Sequence, residues 1–311
     1  MSKPMNSYNT SRVIDSRTIA DSNPAGTWKD FLTISKMGIV NSNLITTFTG
    51  VWLALKFTNQ SFLDNIWKII FVLLGTALIV AGGCCLNNYI DRDIDKLMKR
   101  TKNRPSAAGT LTGKQVLWTG IIMSVLGAVV LLQASFAAAA FGLLGLFVYV
   151  VVYTWWLKRT HSINTIVGSI SGALPPVIGW AAIDPALSSN EPWILFLIMF
   201  LWQPPHFLAL AIKYAEEYRR AGIPMLPVVA GFETTKRQMI IYVASLFPAS
   251  LLLYTLGPWY LAAAIILGLG WIAVSIAGFF MKDTIKWSRI MFVYSLNYMT
   301  ILFAVMIFAV I

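Results

Sequence analysis

Asn87, Asp91 and Asp95 stand four residues apart where the apolar run from Ile69 to Ala81 gives way to polar sequence. On a helix of 3.6 residues per turn that spacing drifts only about 40° per step, so the three side chains share one face over roughly 12 Å. A row of amide and carboxylate oxygens suits a hard divalent cation. Mg²⁺ accepts a few such oxygens, keeps several waters and completes its shell from a substrate phosphate. Arg100 and Arg104 follow directly, so metal and guanidinium together would face a diphosphate. A blander alternative is that these are headgroup-level charges ending a membrane span. It suffices for any single aspartate, but not for the ordered stretch Asn-x3-Asp-x3-Asp-x2-Met-x-Arg-Thr-x2-Arg-Pro, in which spacing and order are both constrained.

A second polar group, Lys213, Glu216 and Glu217, follows the run Trp202-Gln203-Pro204-Pro205-His206-Phe207. It repeats the theme of a helix end bearing oxygen ligands and cations. If it faced the first group, the two would form an electrostatic cup for an anion at the membrane surface. His206 is flanked by prolines and apolar residues. Such a histidine serves as a hydrogen-bonded packing residue, as a donor of imidazole nitrogen to a haem iron, or as a base. His161, after Lys158 and Arg159, reads as solvated. Cys84 and Cys85 are adjacent and are the only two cysteines, so they read as small packing residues and not as a disulfide or a metal pair.

The elements that must hold these groups are membrane helices. Of the 311 residues 57% are apolar and only 12% charged, the profile of an all-α polytopic membrane protein. The net charge of +11 would suit nucleic acid, but the placement of the cations excludes it. Spans of about 20 apolar residues are expected at Met37–Phe57, Ile66–Ile90, Val116–Leu132, Phe136–Leu157, Ile163–Ile183, Trp193–Ile212, Met239–Leu256, Trp259–Phe280 and Met291–Ile311, nine in all. The third and fourth divide at Gln133-Ala134-Ser135. Of the 24 Lys and Arg, all but Lys56 and Lys68 fall on one side of this arrangement. By the positive-inside rule the N-terminus is cytoplasmic and the C-terminus lies outside the cell membrane. Residues 1–30, polar and without an apolar signal region, are expected to be a mobile cytoplasmic tail, and residues 31–311 the membrane domain. The span with Gly168, Gly172, Pro175, Pro176 and Gly179 is too broken for a plain lipid-facing helix, and suits either a cavity wall or a tightly packed interior.

Asn87 to Pro105, together with Trp202 to Gly231 and with Leu157 to Thr160 leading to Asn164, resembles the intramembrane prenyltransferases of the UbiA superfamily, over about residues 30 to 311. The first stretch carries the resemblance to the superfamily. Gln203-Pro204-Pro205-His206-Phe207 and Gly222-Ile223-Pro224-Met225-Leu226-Pro227 resemble its haem-prenylating branch. The resemblance implies nine helices around a central cavity that opens near the cytoplasmic face and sideways to lipid. It implies farnesyl diphosphate and haem B (protohaem IX) as substrates, and haem O and pyrophosphate as products. It carries Mg²⁺ onto Asn87, Asp91 and Asp95, and the diphosphate onto Arg92, Arg100, Arg104 and Lys158. Where many members have a second Asp-x3-Asp, this chain has Lys213, Glu216 and Glu217, so that a lysine charge replaces one metal ion.

On this reading an allylic diphosphate ionises against metal and cations, with Lys213 assisting. A dry aromatic wall then shelters the carbocation, with Tyr149, Tyr153, Trp155 and Trp180 as candidates. His206 would hold the haem iron or orient water. Haem A synthase and terminal oxidase assembly proteins are the implied partners. Competing readings are prenylation of an aromatic or quinone precursor, a haem carrier or transporter without chemistry, and a structural subunit of a respiratory complex.

Overall fold

A computed structural model of the chain describes residues 26–309. Most of the proposed tail, residues 1–25, lies outside them. Its last residues belong to a short helix, α1 (Trp28–Ser35), so the boundary expected between residues 30 and 31 falls inside a helix. Among the described residues there is no strand.

The long helices are α2 (Met37–Phe57), α3 (Ile66–Ile90), α4 (Gly113–Ala134), α5 (Phe136–Thr160), α6 (Asn164–Ile183), α7 (Glu191–Lys213), α8 (Gly231–Leu251), α9 (Pro258–Ala277) and α10 (Thr284–Phe308). All but α8 are long and apolar enough to cross a membrane, which makes eight such helices among the described residues. Each of the nine expected spans falls on one of these helices, eight of which have that length and hydropathy. The exception is Met239–Leu256, which takes the second half of α8 and the residues just after it; the first turns of α8 carry Glu233, Lys236 and Arg237 and lower its hydropathy.

Local chemistry sets the helix ends. Thr112 and Gln115 cap the start of α4 reciprocally, Gln115 N–H donating to Thr112 Oγ1 and Thr112 N–H to Gln115 Oε1. Between α4 and α5 the backbone of Ser135 is extended, and its hydroxyl accepts from Ala138 N–H. The same hydroxyl donates to the Ala181 carbonyl at 2.6 Å, which fastens this turn to the end of α6. α3 and α4 pack along small residues: a Cβ on Gly127 would lie 2.8 Å from the backbone nitrogen of Ile79, so only glycine permits the approach. α6 breaks at Leu174, before Pro175 and Pro176, because proline brings no N–H to continue the ladder. α7 continues through Pro204 and Pro205, as membrane helices do when neighbours re-satisfy the freed carbonyls.

Within α5, residues Val148–Leu157 form a π-helix. Its i→i+5 bonding widens each turn, so residues four and five apart recur on one face. This brings Tyr149, Tyr153, Thr154 and Lys158 to one side. The first half of α2, with α3, α5, α6 and α7 and with Leu296 and Met299 of α10, lines a cavity of about 330 Å³. Ile39, Phe207 and Leu296 line the cavity and are among its exposed residues, so its mouth lies among α2, α7 and α10.

Candidate active site

α3 ends at Ile90, and Asp91 joins it to a one-turn helix, Arg92–Asp95. Helical bonding nevertheless runs through the junction: Asp91 N–H donates to Asn87 O at 2.9 Å and Asp95 N–H to Asp91 O at 2.8 Å. The row Asn87, Asp91, Asp95 therefore keeps one face despite the break, and all three residues are buried.

Around this row the side chains form one network. Lys36 Nζ donates to Asn87 Oδ1 at 2.6 Å. Asn87 Nδ2 donates to Asp91 Oδ2 at 2.9 Å and to Thr154 Oγ1 at 3.1 Å. Thr154 in turn donates to the Tyr149 carbonyl inside the π-helix. Lys158 Nζ pairs with Asp91 Oδ2. Arg104 donates to Asp95 Oδ2 at 2.8 Å and reaches Asn88 Oδ1 at 3.4 Å, while Asn88 donates to the Ile34 carbonyl. Asp91 Oδ1 is buried with no hydrogen-bond partner. A fully buried carboxylate oxygen without a donor is costly unless a cation or ligand meets it.

Three cations thus gather on two buried carboxylates and an amide. Lys36 is bent into the left-handed backbone region, φ 50°, a strain of order 1–3 kcal/mol for a non-glycine residue. Burial lowers its ammonium to about 8. Asp93 turns the other way, into a bidentate bridge with Arg159 at 2.6 and 2.8 Å, and this guanidinium holds its carboxyl at about 2.

The cavity wall stops just short of this network, at Cys84 on α3 and at Tyr149 and Tyr153 on α5. The two tyrosine rings stack with centroids 6.0 Å apart, forming a layer between the charges and the apolar space. Of the four aromatic candidates only these two line the cavity. Trp155 is turned outward, 67% exposed, and Trp180 packs on Phe57 at the far end of α6. α6 lines the cavity with Thr165, Gly168, Ser171 and Gly172, so its broken half is a cavity wall. α7 closes the other side with Gln203 and His206. The His206 ring lies between Trp202 and Phe292, centroids 4.6 and 4.7 Å away, and its Nδ1 sits 2.7 Å from Ser295 Oγ.

The second polar group meets the first only in part. Tyr218, Ile223 and Met225 pack on Ile94 and Met98 and so dock the two connections together. Arg100 receives Glu217 on its backbone N–H at 3.2 Å, and both Arg100 and Lys213 lie over the Tyr214 ring, at 5.1 and 5.0 Å. Tyr218, reached by Arg100 at 3.5 Å, lines the cavity. Glu216 pairs instead with Arg219 on the exposed surface. Arg92 stacks on Tyr89 and bonds its carbonyl, away from the Asp91 network. Sequence reasoning missed Lys36, Thr154 and Tyr218. Only Thr154 left a trace, as the one small hydroxyl in the run Val148–Leu157.

The donor set suits Mg²⁺. Among the described residues no three His, Cys, Asp or Glu side chains gather as a self-sufficient metal site, and Mg²⁺ needs none, binding through one or two carboxylates plus phosphate oxygens. Asn87, Asp91 with its orphaned oxygen, and Asp95 provide that arrangement.

A helical membrane protein whose apolar cavity ends at buried carboxylates and lysines is built to handle an anionic headgroup on an apolar tail. Residues 43–297 match the UbiA prenyltransferase family, and the chain belongs to it. It is 58% identical to protoheme IX farnesyltransferase of Alkalihalophilus pseudofirmus, over 97% of this chain and 99% of that one. It is 54% identical to protoheme IX farnesyltransferase 2 of Bacillus subtilis, over 90% and 92%. In fold it resembles a digeranylgeranylglyceryl phosphate synthase (TM-score 0.73, 19% identity, 91% of this chain and 98% of that one). It also resembles an Archaeoglobus fulgidus UbiA homologue bound to DMAPP and Mg²⁺ (TM-score 0.60, 15% identity, 89% and 99%).

Proposed function

We propose that this prenyltransferase joins the farnesyl group of farnesyl diphosphate to the terminal carbon of a haem B vinyl group, after which one water adds to the resulting cation as a hydroxyl and releases a proton, yielding haem O and pyrophosphate. One observation carries the reading: an apolar cavity has a buried lysine-carboxylate cluster at one wall and an aromatic-flanked histidine at another. The relatives named protoheme IX farnesyltransferase support the same acceptor.

Asn87, Asp91 and Asp95 hold Mg²⁺, which when bound neutralises charge on the diphosphate. Lys158, Lys36 and Arg104 supply fixed positive charge to the departing pyrophosphate, and Arg100 approaches it from the Tyr214 and Tyr218 side. Preorganised charge in a dry site is the main source of such acceleration. The tyrosine layer and the apolar cavity keep water from the allylic carbon until the vinyl group attacks. His206 holds the haem iron. Lys213 acts at long range through the ring it shares with Arg100, and its charge stands in for a second metal ion.

The chain lies in the cell membrane with the tail that precedes α1 cytoplasmic; α8, 21 residues long and packed on both α7 and α9, serves as the ninth span, which puts the C-terminus outside. Haem A synthase and terminal oxidase assembly take up its product. Mass analysis of haem extracted from cells with and without the chain tests the reaction: haem O appears only with it. Pyrophosphate release in proteoliposomes that depends on both substrates separates catalysis from transport, and its absence would overturn the proposal.

A further inference from the structure

Ser295 lies on α10, wholly buried, and bonds twice to α7. Trp202 Nε1 donates to its carbonyl at 2.8 Å, and His206 Nδ1 stands 2.7 Å from its hydroxyl. The same Oγ is 2.6 Å from the Phe292 carbonyl oxygen. Two oxygens approach this closely only with a proton between them, and a carbonyl brings none. The one proton of the Ser295 hydroxyl therefore points at Phe292, and toward His206 that hydroxyl can only accept.

The ring of His206 must then carry its proton on Nδ1, which leaves Nε2 as a bare lone pair. Both ring faces are covered, by Trp202 and Phe292. His206 lines the cavity, so the edge it presents there is the one opposite Ser295. Among the described residues nothing bonds to Nε2.

We infer that Ser295 is a positioning residue that locks the His206 tautomer, so that an unprotonated Nε2 faces the acceptor side of the cavity. The ligand it prepares for is an electron-pair acceptor, such as the iron of a flat aromatic macrocycle, and not an anion or a hydrogen-bond acceptor. In metal-binding histidines a partner on the second nitrogen plays this part, and removing it weakens binding by about 10- to 100-fold. The inference rests on the proposed haem-B reading.

The chain has two histidines, so full-length protein labelled with ¹⁵N-histidine gives two sets of imidazole signals, and His206→Ala assigns them. The wild type is expected to show His206 protonated on Nδ1. Ser295→Ala should populate the Nε2–H form, and Ser295→Thr should restore the original one. Titration of haem B against the same proteins should show about 10- to 100-fold weaker binding for Ser295→Ala, near-normal binding for Ser295→Thr, and an unchanged KM for farnesyl diphosphate. A wild-type His206 protonated on Nε2, or a tautomer unmoved by Ser295→Ala, overturns the inference. An unaltered haem spectrum in His206→Ala instead overturns the haem-ligand reading and leaves the tautomer result standing.

Discussion

The pair Lys158–Asp91 allows a quantitative test, because its charges are buried to similar depth, with side-chain exposures of 14% and 0%. Asp91→Asn leaves a buried ammonium without counter-charge, and Lys158→Met leaves a buried carboxylate held only by the Asn87 amide. Breaking a buried pair from one side costs about 3–5 kcal/mol, whereas replacing both partners by neutral groups is close to neutral. Each single variant should therefore lose about 3–5 kcal/mol, and the double variant should recover most of that. Independent sites would instead sum to roughly 6–10 kcal/mol. Unfolding of the purified proteins in one detergent measures the three differences. Farnesyl-diphosphate-dependent pyrophosphate release should fall by at least about 10²-fold in all three, including the stable double variant, because the charge that faces the leaving group is gone. Additive destabilisation, single variants within about 0.5 kcal/mol of wild type, or a double variant with restored turnover would refute the reasoning.

Chelation of divalent metal should stop turnover, with Mg²⁺ restoring it, and Asp95→Ala should raise the Mg²⁺ concentration required; both are read from pyrophosphate release against metal concentration. Tyr153→Ala opens the layer between the charges and the cavity, so free farnesol should rise relative to haem O in product analysis, while an unchanged ratio would mean the tyrosine only packs. Glu216→Gln should leave turnover within about twofold, since Glu216 pairs with Arg219 on the surface, and a large loss would return it to the site. Asp93→Asn should destabilise the protein slightly at neutral pH. The Arg159 bridge holds the Asp93 carboxyl at about 2 against an ordinary 3.8, so its contribution is complete above 3.8 and lost as pH falls through about 2, measurable as the gap in melting temperature between variant and wild type.

Read alone, the chain determined everything that depends on local period and composition. Apolar runs of membrane length gave most helices within a few residues, the extended Ser135 sits where the third and fourth spans were divided, and the four-residue spacing of Asn87, Asp91 and Asp95 survives even where α3 gives way to a second short helix. Helical periodicity is set by bonds between near neighbours, so it can be counted along the chain. Only the start of α8 escaped this count, because its polar first turns, with Glu233, Lys236 and Arg237, precede the apolar run that begins at Met239.

Tertiary packing alone decided which residues meet. Lys36, Asn87, Thr154 and Lys158 converge because α2, α3 and α5 cross there and because a π-helix turns α5. Ordinary α-helical counting along α5 would put Tyr149 and Tyr153 on one face but Lys158 on the opposite one. The carboxylates of the second polar group looked equivalent in the chain, yet Glu217 meets Arg100 while Glu216 faces water. The contact between His206 and Ser295 spans 89 positions. Such meetings are settled by how helix surfaces pack, which is a property of pairs of helices and leaves no period in either sequence.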